Sequence, residues 1–216
     1  MATISSEDDA VKSMKRKILD HFKESDPRLF NVIDKEMRIF SLDSKEKTPS
    51  ELFQALCRSI VGQQLSGKAA QSIHKRFLTL FPRNNVTPKK LIEFTEHDLR
   101  NVGMSYGKAR ALRDHAQKVL DKSVVYKDIT KKTDEEIKDM LLQIKGVGPW
   151  TCEMFLMFSL GREDIFSPKD LGLQKGIQKV YKLKERPDEV KAEKLSKKWA
   201  PYRTYASIIL WHHIDT

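Results

Sequence analysis

The stretch Leu141–Gly148 reads LLQIKGVG, and Pro149-Trp150-Thr151 follows it directly. Two glycines flank Val147 between two apolar segments, a pattern that predicts a tight turn joining two helices. One carboxylate, Asp170 in the segment PKDLG, lies twenty residues after Trp150, since 170 minus 150 is 20. The turn and the acid, in this order and at this spacing, are the features from which fold and function are inferred.

The turn has the chemistry of an anion site. Glycine permits a positive φ and lets a phosphate group approach the backbone closely. A second helix is expected directly after Gly148, so its free first-turn amides and its dipole would face the anion. Lys145 at the tip adds a positive charge. An ordinary helix–helix turn has similar glycines, so the turn alone leaves both interpretations open.

The charge balance also favours an anionic partner. The chain has 216 residues, a formal net charge of +10 at pH 7 and a sequence pI of about 9.5. Clustered Lys and Arg displace counterions from a phosphate backbone, which indicates a polyanion, although a lysine-rich solvated surface is the alternative. A hydrophobic content of 39 % excludes a disordered chain and allows one large domain or two small, interlocked ones.

Cysteine content argues against an iron–sulfur protein, and hydropathy argues against a membrane-spanning one. Cys57 and Cys152 are the only cysteines in the sequence, and two thiolates cannot supply the four ligands of an iron–sulfur cluster. Both lie in apolar, helix-like segments, which is typical of reduced core thiols. The sequence has no apolar secretory leader and no 18-residue apolar stretch, so we expect no membrane span and a protein inside the cell.

Apolar residues recur at helical spacing, and no segment shows the alternation of a strand, which predicts an all-α fold. Residues Met1 to Ala10 are polar and expected to be flexible. Helix-starting residues precede several segments, such as Thr133 with Glu136 three residues later. The predicted helices are Val11 to about Phe40 with a break at Asp26-Pro27, Leu52–Val61, Lys68–Phe81, Pro88–Phe94, Glu96–Asn101, Tyr106–Leu120, Thr133–Gln143, Pro149–Ser159, Asp170–Tyr181, Lys191–Trp199 and Tyr202–Trp211.

Four blocks of sequence, together with Asp170, carry a resemblance to a known family. They are SIVGQQLSGKAA (Ser59–Ala70), Gly103-Met104-Ser105 with Lys108, IKGVGPWTCEMFLMF (Ile144–Phe158) and WAPYRTYASIILW (Trp199–Trp211). In this order they resemble the helix-hairpin-helix superfamily of DNA glycosylases, and within it the alkylbase branch, the 3-methyladenine DNA glycosylases. The resemblance covers most of the chain, from about Pro49 to Trp211.

The resemblance implies an arrangement for the whole chain. The fold would be all-α, with two interlocked helical subdomains, a cleft between them and a helix-hairpin-helix DNA-binding motif. We expect a flexible stretch at residues 1–10, a terminal subdomain from residues 11–50 and 168–216, and a central subdomain from residues 51–167. The hairpin, at residues 141–159, lies in the central subdomain.

The resemblance also implies how DNA would be held. Phosphate-binding residues are expected in the hairpin and in a second turn, and they are Gly103, Ser105, Lys145, Gly146, Val147, Gly148 and Thr151. Members of the family hold a monovalent cation on backbone carbonyls of the hairpin. The matching positions are Leu142, Ile144 and Val147, so a structural Na⁺ or K⁺ ion is expected there. No redox cofactor and no catalytic metal is required.

A flipped base needs a wedge and a pocket. Gln64 or Leu65 is expected to fill the gap left in the base stack, unless Leu65 is a buried loop residue. Trp150 offers a flat face to positively charged alkylated purines, unless it is a core tryptophan. Met154 lies one turn later, where some relatives place an aromatic residue, and methionine is softer and less discriminating.

Asp170 matches the aspartate that is essential in this superfamily. Breaking an N-glycosidic bond builds positive charge on the deoxyribose, and a carboxylate at ~4 Å with an effective dielectric of ~20 stabilises that charge by about 4 kcal/mol. The same anion can instead orient the attacking water. A cap role after Ser167-Pro168 is the structural alternative, and both roles can coexist. Trp150 stands where strand-nicking members have a lysine nucleophile, so we expect that lyase chemistry to be lacking.

The sequence therefore favours a monomeric, monofunctional DNA glycosylase that hydrolyses the N-glycosidic bond of alkylated purines in duplex DNA and leaves an abasic site. The alternative is a catalytically weak or inactive homologue that binds abasic or flipped-nucleotide DNA, which Met154 and the lack of a visible general acid motivate. A third hypothesis is a nonspecific hairpin module, in which nothing would require Asp170. The protein is expected where the DNA is, in the nucleus of a eukaryotic cell.

Overall fold

The computed structural model describes residues 3–33 and 46–215. Over these residues the chain forms helices and short 3₁₀ turns and no strand, so the prediction of an all-α fold is confirmed. The α-helices are α1 (Thr3–Ser25), α2 (Pro27–Phe30), α3 (Pro49–Gly62), α4 (Gly67–Leu78), α5 (Pro88–Glu93), α6 (Glu96–Asn101), α7 (Tyr106–Leu120), α8 (Asp134–Leu142), α9 (Pro149–Phe158), α10 (Leu171–Tyr181), α11 (Glu189–Ser196) and α12 (Arg203–Asp215).

The described residues divide into two compact units. The terminal unit comprises residues 3–33 and 161–215 and contains α1, α2 and α10 to α12. The central unit comprises residues 46–160 and contains α3 to α9. The hairpin belongs to the central unit, and Asp170 belongs to the terminal unit.

An apolar core draws together distant parts of the sequence in the terminal unit. Ile18 and Phe22 of α1 are fully buried with Ile177 of α10, Ile209 of α12 and Trp199. Burying each such side chain stabilises the fold by about 1.5–3 kcal/mol. The apolar faces of α10 and α12 thus fix the start of α10, where Asp170 lies.

Asp26 anchors the break between α1 and α2 to this core. Its carboxylate is 2 % exposed and accepts hydrogen bonds from the Tyr181 hydroxyl and, at 2.6 Å, from the Trp199 indole, and Lys198 Nζ lies 3.1 Å away. Burial works to raise the pKa of Asp26, but these three partners outweigh it and hold the pKa below its ordinary value. The buried charge is therefore paired, which avoids the cost of an isolated one.

The central unit is built around α3. The buried face of this helix packs on α4, α7 and α9, and it consists of Leu52, Phe53, Leu56, Cys57, Ile60 and Val61. A polar chain crosses the core, because His115 Nε2 lies 2.7 Å from the Tyr126 hydroxyl and His115 Nδ1 lies 3.6 Å from Cys57 Sγ. Burial lowers the pKa of His115 to about 3 and raises the pKa of the Cys57 thiol. Both groups are therefore neutral at pH 7.

Several helices begin at the capping residues that the sequence predicts. Thr133 and Glu136 form a reciprocal capping box before α8, and Ser105 caps α7. Some predicted boundaries differ from the observed ones. The helix predicted over Lys68–Phe81, for example, ends at Leu78. Pro82 disfavours helical conformation in the residue before it, so the chain leaves the helix ahead of the 3₁₀ turn that Pro82 begins.

The first helix starts earlier than its predicted start at Val11. It begins at Thr3 and runs for 23 residues to Ser25. The flexibility expected for residues 1–10 stays a prediction, and the predicted continuation over residues 34–40 lies outside the described part of the chain. Within the two described ranges, no helix is long and apolar enough to span a bilayer.

Candidate functional site

The hairpin joins α8 to α9 through a turn that requires glycine. Gly146 has a φ of +78°, in the left-handed region that side chains with a Cβ disfavour. The Val147 amide donates to the Ile144 carbonyl at 3.0 Å, and the Val147 side chain is buried below the turn. Lys145 and Gly146 are exposed. The tip is thus fixed from inside and open to solvent.

The outer face of this turn presents backbone amides. Among the residues that the structure describes, the amides of Gly146, Gly148 and Thr151 have no protein acceptor. Gly148 is the N-cap of α9, and Pro149 in the first turn has no N–H to offer. Amides at a helix start, aligned with the helix dipole, form a site suited to an anion such as phosphate.

Lys145 contributes to this face through its side chain. Its backbone amide is already bonded to the Asp114 carboxylate of α7 at 2.8 Å. That bond ties the hairpin tip to α7, and it leaves the lysine ammonium as the group able to meet a phosphate. Sequence reasoning missed Asp114, because the two residues are 31 apart along the chain.

The second turn, at Gly103 to Ser105, has a similar construction. Gly103 has a φ of +99°, and a Cβ there would lie 2.7 Å from Nη2 of Arg76. Nε of Arg76 donates to the Val102 carbonyl at 2.9 Å, which holds the turn against α4. The Ser105 hydroxyl accepts the Lys108 amide at the start of α7. The helix start is therefore capped from within, and Arg76 is a positioning group that sequence reasoning missed.

The loop between α3 and α4 presents the two wedge candidates. Gln64 has a φ of +55°, an unusual conformation for a residue with a side chain, and both Gln64 and Leu65 are exposed. Leu65 is 36 % exposed and is therefore not a buried loop residue. Strain of this kind is found at functional sites, where the surrounding structure holds it in place.

Gln63, the residue before Gln64, connects this loop to the hairpin by hydrogen bonds. Its Nε2 donates to the Gly146 carbonyl at 3.1 Å and to the Thr151 hydroxyl at 2.9 Å. Lys108 Nζ of α7 donates to the Val61 carbonyl at 2.8 Å, in the last turn of α3 before the loop, and partial burial lowers the pKa of Lys108. Within the central unit, hydrogen bonds thus join the loop to the hairpin and the end of α3 to α7.

A pocket of about 940 Å³ opens in the central unit between α3, α4 and α9. Trp150, Met154 and Phe158 line it from one face of α9, since they are four residues apart. Trp150 is 40 % exposed and Phe158 is 47 % exposed, so neither is a core residue, whereas Met154 is 9 % exposed. Sequence reasoning missed Phe158, although its helical spacing from Trp150 is visible in the sequence.

The helices α3 and α4 contribute polar groups to the lining of this pocket. Arg58 of α3 and His74 of α4 both line it. Burial, and to a lesser extent the charge of Arg58, lowers the pKa of His74, so its imidazole is neutral at pH 7. The pocket therefore combines aromatic surface with hydrogen-bonding groups, a combination typical of sites for small planar ligands.

Asp170 lies at the N-terminus of α10 in the terminal unit, where it is half-buried. Its Oδ1 accepts the Leu173 amide at 2.7 Å and the Trp211 indole N–H of α12 at 3.0 Å. The residue is therefore a helix cap, and Trp211, which sequence reasoning missed in this role, orients it. A Cβ at Gly172 would come within 3.0 Å of both Asp170 Oδ1 and the Trp211 ring, so glycine keeps that bond unobstructed.

Several proteins are similar to this chain in sequence. The model for the HhH-GPD superfamily of base excision DNA repair proteins matches residues 57–201. An alkylbase DNA glycosidase-like protein of Schizosaccharomyces pombe is 35 % identical over 162 residues, which cover 74 % of this chain and 76 % of that protein. The DNA-3-methyladenine glycosylase of Saccharomyces cerevisiae is 30 % identical over 241 residues, covering 91 % and 79 %. A Bacillus subtilis relative is 31 % identical over 170 residues, and the chain spans 59 % of its length.

Similarity extends to solved structures. The 3-methyladenine DNA glycosylase of Schizosaccharomyces pombe, in complex with abasic DNA, matches with a TM-score of 0.79 and 29 % identity over 90 % of this chain and 95 % of that one. The family match spans more than half of the chain and includes the first loop, the hairpin and Asp170. The chain therefore belongs to the HhH-GPD superfamily of base excision DNA repair proteins, as the resemblance in its sequence predicted.

Proposed function

We propose that the chain is a monofunctional DNA glycosylase that hydrolyses the N-glycosidic bond of alkylated purines in duplex DNA and leaves an abasic site. The names of its relatives, among them DNA-3-methyladenine glycosylases, support this activity. The observation that carries the proposal is the fixed carboxylate of Asp170, held on one oxygen by the Leu173 amide and the Trp211 indole.

The hairpin binds the DNA backbone in this proposal. The amides of Gly146, Gly148 and Thr151 bind one phosphate, and the Lys145 ammonium neutralises its charge. Gly103 and Ser105 face a second phosphate at the start of α7, where the helix dipole favours negative charge. None of these groups reads a base, so this part of the binding does not depend on DNA sequence.

In this proposal the damaged base is recognised after it has flipped out of the DNA base stack. Gln64 and Leu65 enter the gap, which compensates in part for an unstacking cost of a few kcal/mol. The flipped purine lies against Trp150 and Met154, and the exposed ring of Phe158 extends the same surface. A positively charged alkylated base gains cation–π attraction from the aromatic faces.

Asp170 assists the hydrolysis. The bond between C1′ and the base nitrogen breaks, and the base leaves with the bonding electron pair. The carboxylate stabilises the positive charge that develops on the sugar, and the oxygen of a water molecule then bonds to C1′ and loses a proton. Trp150 stands where a lysine nucleophile would be needed for strand cleavage, so the reaction ends at the abasic site.

A monovalent cation fits the hairpin as a structural element. The carbonyls of Leu142, Ile144 and Val147 are neutral oxygen donors, which suit Na⁺ or K⁺ better than a soft transition metal. Ile144 uses one lone pair for the Val147 amide, and a carbonyl oxygen has a second. The ion would stabilise the turn, and the hydrolysis needs no cofactor.

The partner is double-stranded DNA that carries a damaged base or an abasic site, and the protein acts on it as a monomer. Its place of action is where that DNA lies, which is the nucleus if the cell is eukaryotic. A structural neighbour solved with abasic DNA supports the choice of partner.

Release of methylated bases from alkylated duplex DNA tests the proposal. The native protein is expected to release them, and Asp170→Asn is expected to be slower by roughly a thousandfold, which corresponds to the loss of about 4 kcal/mol of charge stabilisation. Asparagine retains an oxygen that can accept the Leu173 amide, so the cap and the fold persist.

Binding of abasic DNA by the same two proteins is the control. Both are expected to bind it with similar affinity, because the phosphate contacts lie elsewhere in the sequence. If neither protein releases base and both bind abasic DNA tightly, the chain is the binding homologue and the enzymatic proposal is wrong.

A further inference from the structure

Gln63 occupies a position between two elements that act on different parts of the DNA. It follows the last residue of α3 and precedes the wedge candidates Gln64 and Leu65. Its own backbone is outside the helix, with φ −50° and ψ 133°. The side chain is half-buried and crosses to the hairpin, 83 residues further along the chain.

Both hydrogens of the Gln63 side-chain amide are committed to the hairpin. Nε2 donates to the Gly146 carbonyl at 3.1 Å and to the Thr151 hydroxyl at 2.9 Å. A glutamine amide has two N–H donors, and here one holds the turn and the other holds the first turn of α9. Thr151 is 3 % exposed, so its hydroxyl faces Gln63 and not solvent.

The bond to Gly146 acts on the peptide that shapes the turn. Gly146 is in the left-handed region, and its carbonyl direction sets the orientation of the peptide plane it shares with Val147. The N–H in that plane is that of Val147, which donates to the Ile144 carbonyl. Hydrogen bonds therefore hold this peptide at both its carbonyl and its amide, and they fix the conformation of the turn that presents the Gly146 and Gly148 amides. The residue that follows Gln63 along the chain is Gln64, whose backbone has the strained positive φ.

We infer that Gln63 is a positioning residue that couples the wedge loop to the hairpin, so that a phosphate bound at the hairpin holds Gln64 and Leu65 in the inserted conformation. This inference rests on the proposed function. Phosphate binding and base unstacking then act as one unit, because neither the loop nor the turn can shift without breaking bonds to the other. Lys108 of α7, bonded to the Val61 carbonyl, holds the last turn of α3, from which this loop leaves.

The test compares variants of the two side chains that form this link. Gln63→Glu is nearly isosteric but cannot donate a hydrogen bond, and Thr151→Val removes the hydroxyl. Thr151→Ser keeps the hydroxyl and serves as the matched control. Each protein is titrated with intact duplex and with duplex containing a tetrahydrofuran abasic analogue, and 2-aminopurine beside the analogue reports unstacking by its fluorescence.

Gln63→Glu and Thr151→Val are expected to lose roughly tenfold in the preference for abasic over intact duplex, since side-chain hydrogen bonds of this kind are typically worth that much. The 2-aminopurine signal should fall together with this preference. Affinity for intact duplex should fall by less than affinity for abasic duplex, and the melting temperature should stay close to native. Thr151→Ser keeps the hydroxyl that accepts from Gln63 and should retain the native preference for abasic over intact duplex. The double variant should lose no more of this preference than Gln63→Glu alone, because both changes break the same link.

Two results would overturn the inference. Gln63→Glu with native preference and native fluorescence would show that the link does not control the wedge. An equal loss of affinity for intact and abasic duplex would show that Gln63 supports the hairpin alone. A native protein with no preference for abasic DNA would instead contradict the proposed function, and the inference would fall with it.

Discussion

Asp170 accepts two hydrogen bonds from different helices on one carboxylate oxygen. Its Oδ1 caps α10 through the Leu173 amide and also accepts the Trp211 indole N–H. A cap alone would need the first bond and not the second. The indole fixes the rotation of the carboxylate, which is what a group that stabilises developing charge requires.

Trp211→Phe tests this orientation, because phenylalanine keeps most of the ring and removes the N–H. We expect kcat for base release to fall by about tenfold, which corresponds to one hydrogen bond to a charged group. Affinity for intact duplex should be unchanged. In the Asp170→Asn background the same change should have little further effect, and a full additional tenfold loss there would mean that Trp211 acts independently of Asp170.

His115 predicts a pH dependence of stability. Its pKa is about 3 in the folded chain against an ordinary value of 6.5, because burial disfavours the charged form. The unfolded chain therefore takes up a proton that the folded chain does not, and stability is lost as pH falls below 6.5. Between that pH and 3 the contribution is about 1.4 kcal/mol per pH unit.

Urea unfolding of native protein and His115→Gln between pH 7 and pH 4 measures this contribution. Glutamine can still bond to Tyr126 or Cys57 but does not titrate, so its stability should fall less steeply with pH. Carboxylates such as Asp26 titrate in both proteins and cancel in the comparison. Parallel curves for the two proteins would mean that His115 does not carry the effect.

For single residues, the sequence was enough to predict a position in the fold where neighbouring residues determine that position. Asp170 and Trp150 could be singled out because a helix start and a turn define their places. The partners Gln63, Asp114 and Trp211 could not, since their bonds span 31 to 88 residues and depend on how helices pack. No local pattern distinguishes such a glutamine or aspartate from a solvated one.

At the scale of elements, the hairpin depends on two glycines for different reasons. Gly146 has a positive φ, and a Cβ there would lie 3.1 Å from the Ala111 Cβ. Gly148 has a φ of −107°, and a Cβ there would meet nothing within 4 Å. One glycine therefore serves backbone conformation, and the other keeps space above the start of α9.

Gly146→Ala and Gly148→Ala separate these two reasons. Gly146→Ala should lower the free energy of unfolding by about 1–2 kcal/mol and weaken DNA binding. Gly148→Ala should change stability by less than about 1 kcal/mol yet still weaken DNA binding by roughly tenfold, because a methyl group obstructs the close approach of phosphate. Native affinity in Gly148→Ala would contradict a phosphate at this position.

Helix boundaries could be predicted where capping residues and proline define them. The box of Thr133 and Glu136 before α8 is one case, and Pro149 at the start of α9 is another. The predicted end of α4 was wrong, because apolar residues continue at helical spacing as far as Phe81. The helix ends at Leu78, several residues before Pro82. Apolar periodicity alone does not locate such an end.

At the scale of the whole molecule, the net charge of +10 makes electrostatics a large part of any DNA affinity. We expect log K for intact duplex to fall linearly with log salt concentration. For roughly five phosphate contacts the slope is about −4 to −5. A flat response between low and moderate salt would contradict a phosphate-binding role for the hairpin and the second turn.

Composition and pattern were enough for the class of the fold, because helical periodicity runs along most of the chain. They were not enough to separate a catalyst from a binding homologue. That distinction depends on where a carboxylate lies relative to a bound sugar.

A crystal structure of the chain bound to duplex DNA with a tetrahydrofuran abasic analogue would show where the Asp170 carboxylate and the hairpin amides lie relative to the DNA. The amides of Gly146 and Gly148 should lie within hydrogen-bonding distance of one phosphate, and the Asp170 carboxylate should face C1′ of the analogue at ~4 Å. A complex in which Asp170 faces away from the sugar, or in which the hairpin does not touch the backbone, would contradict the account.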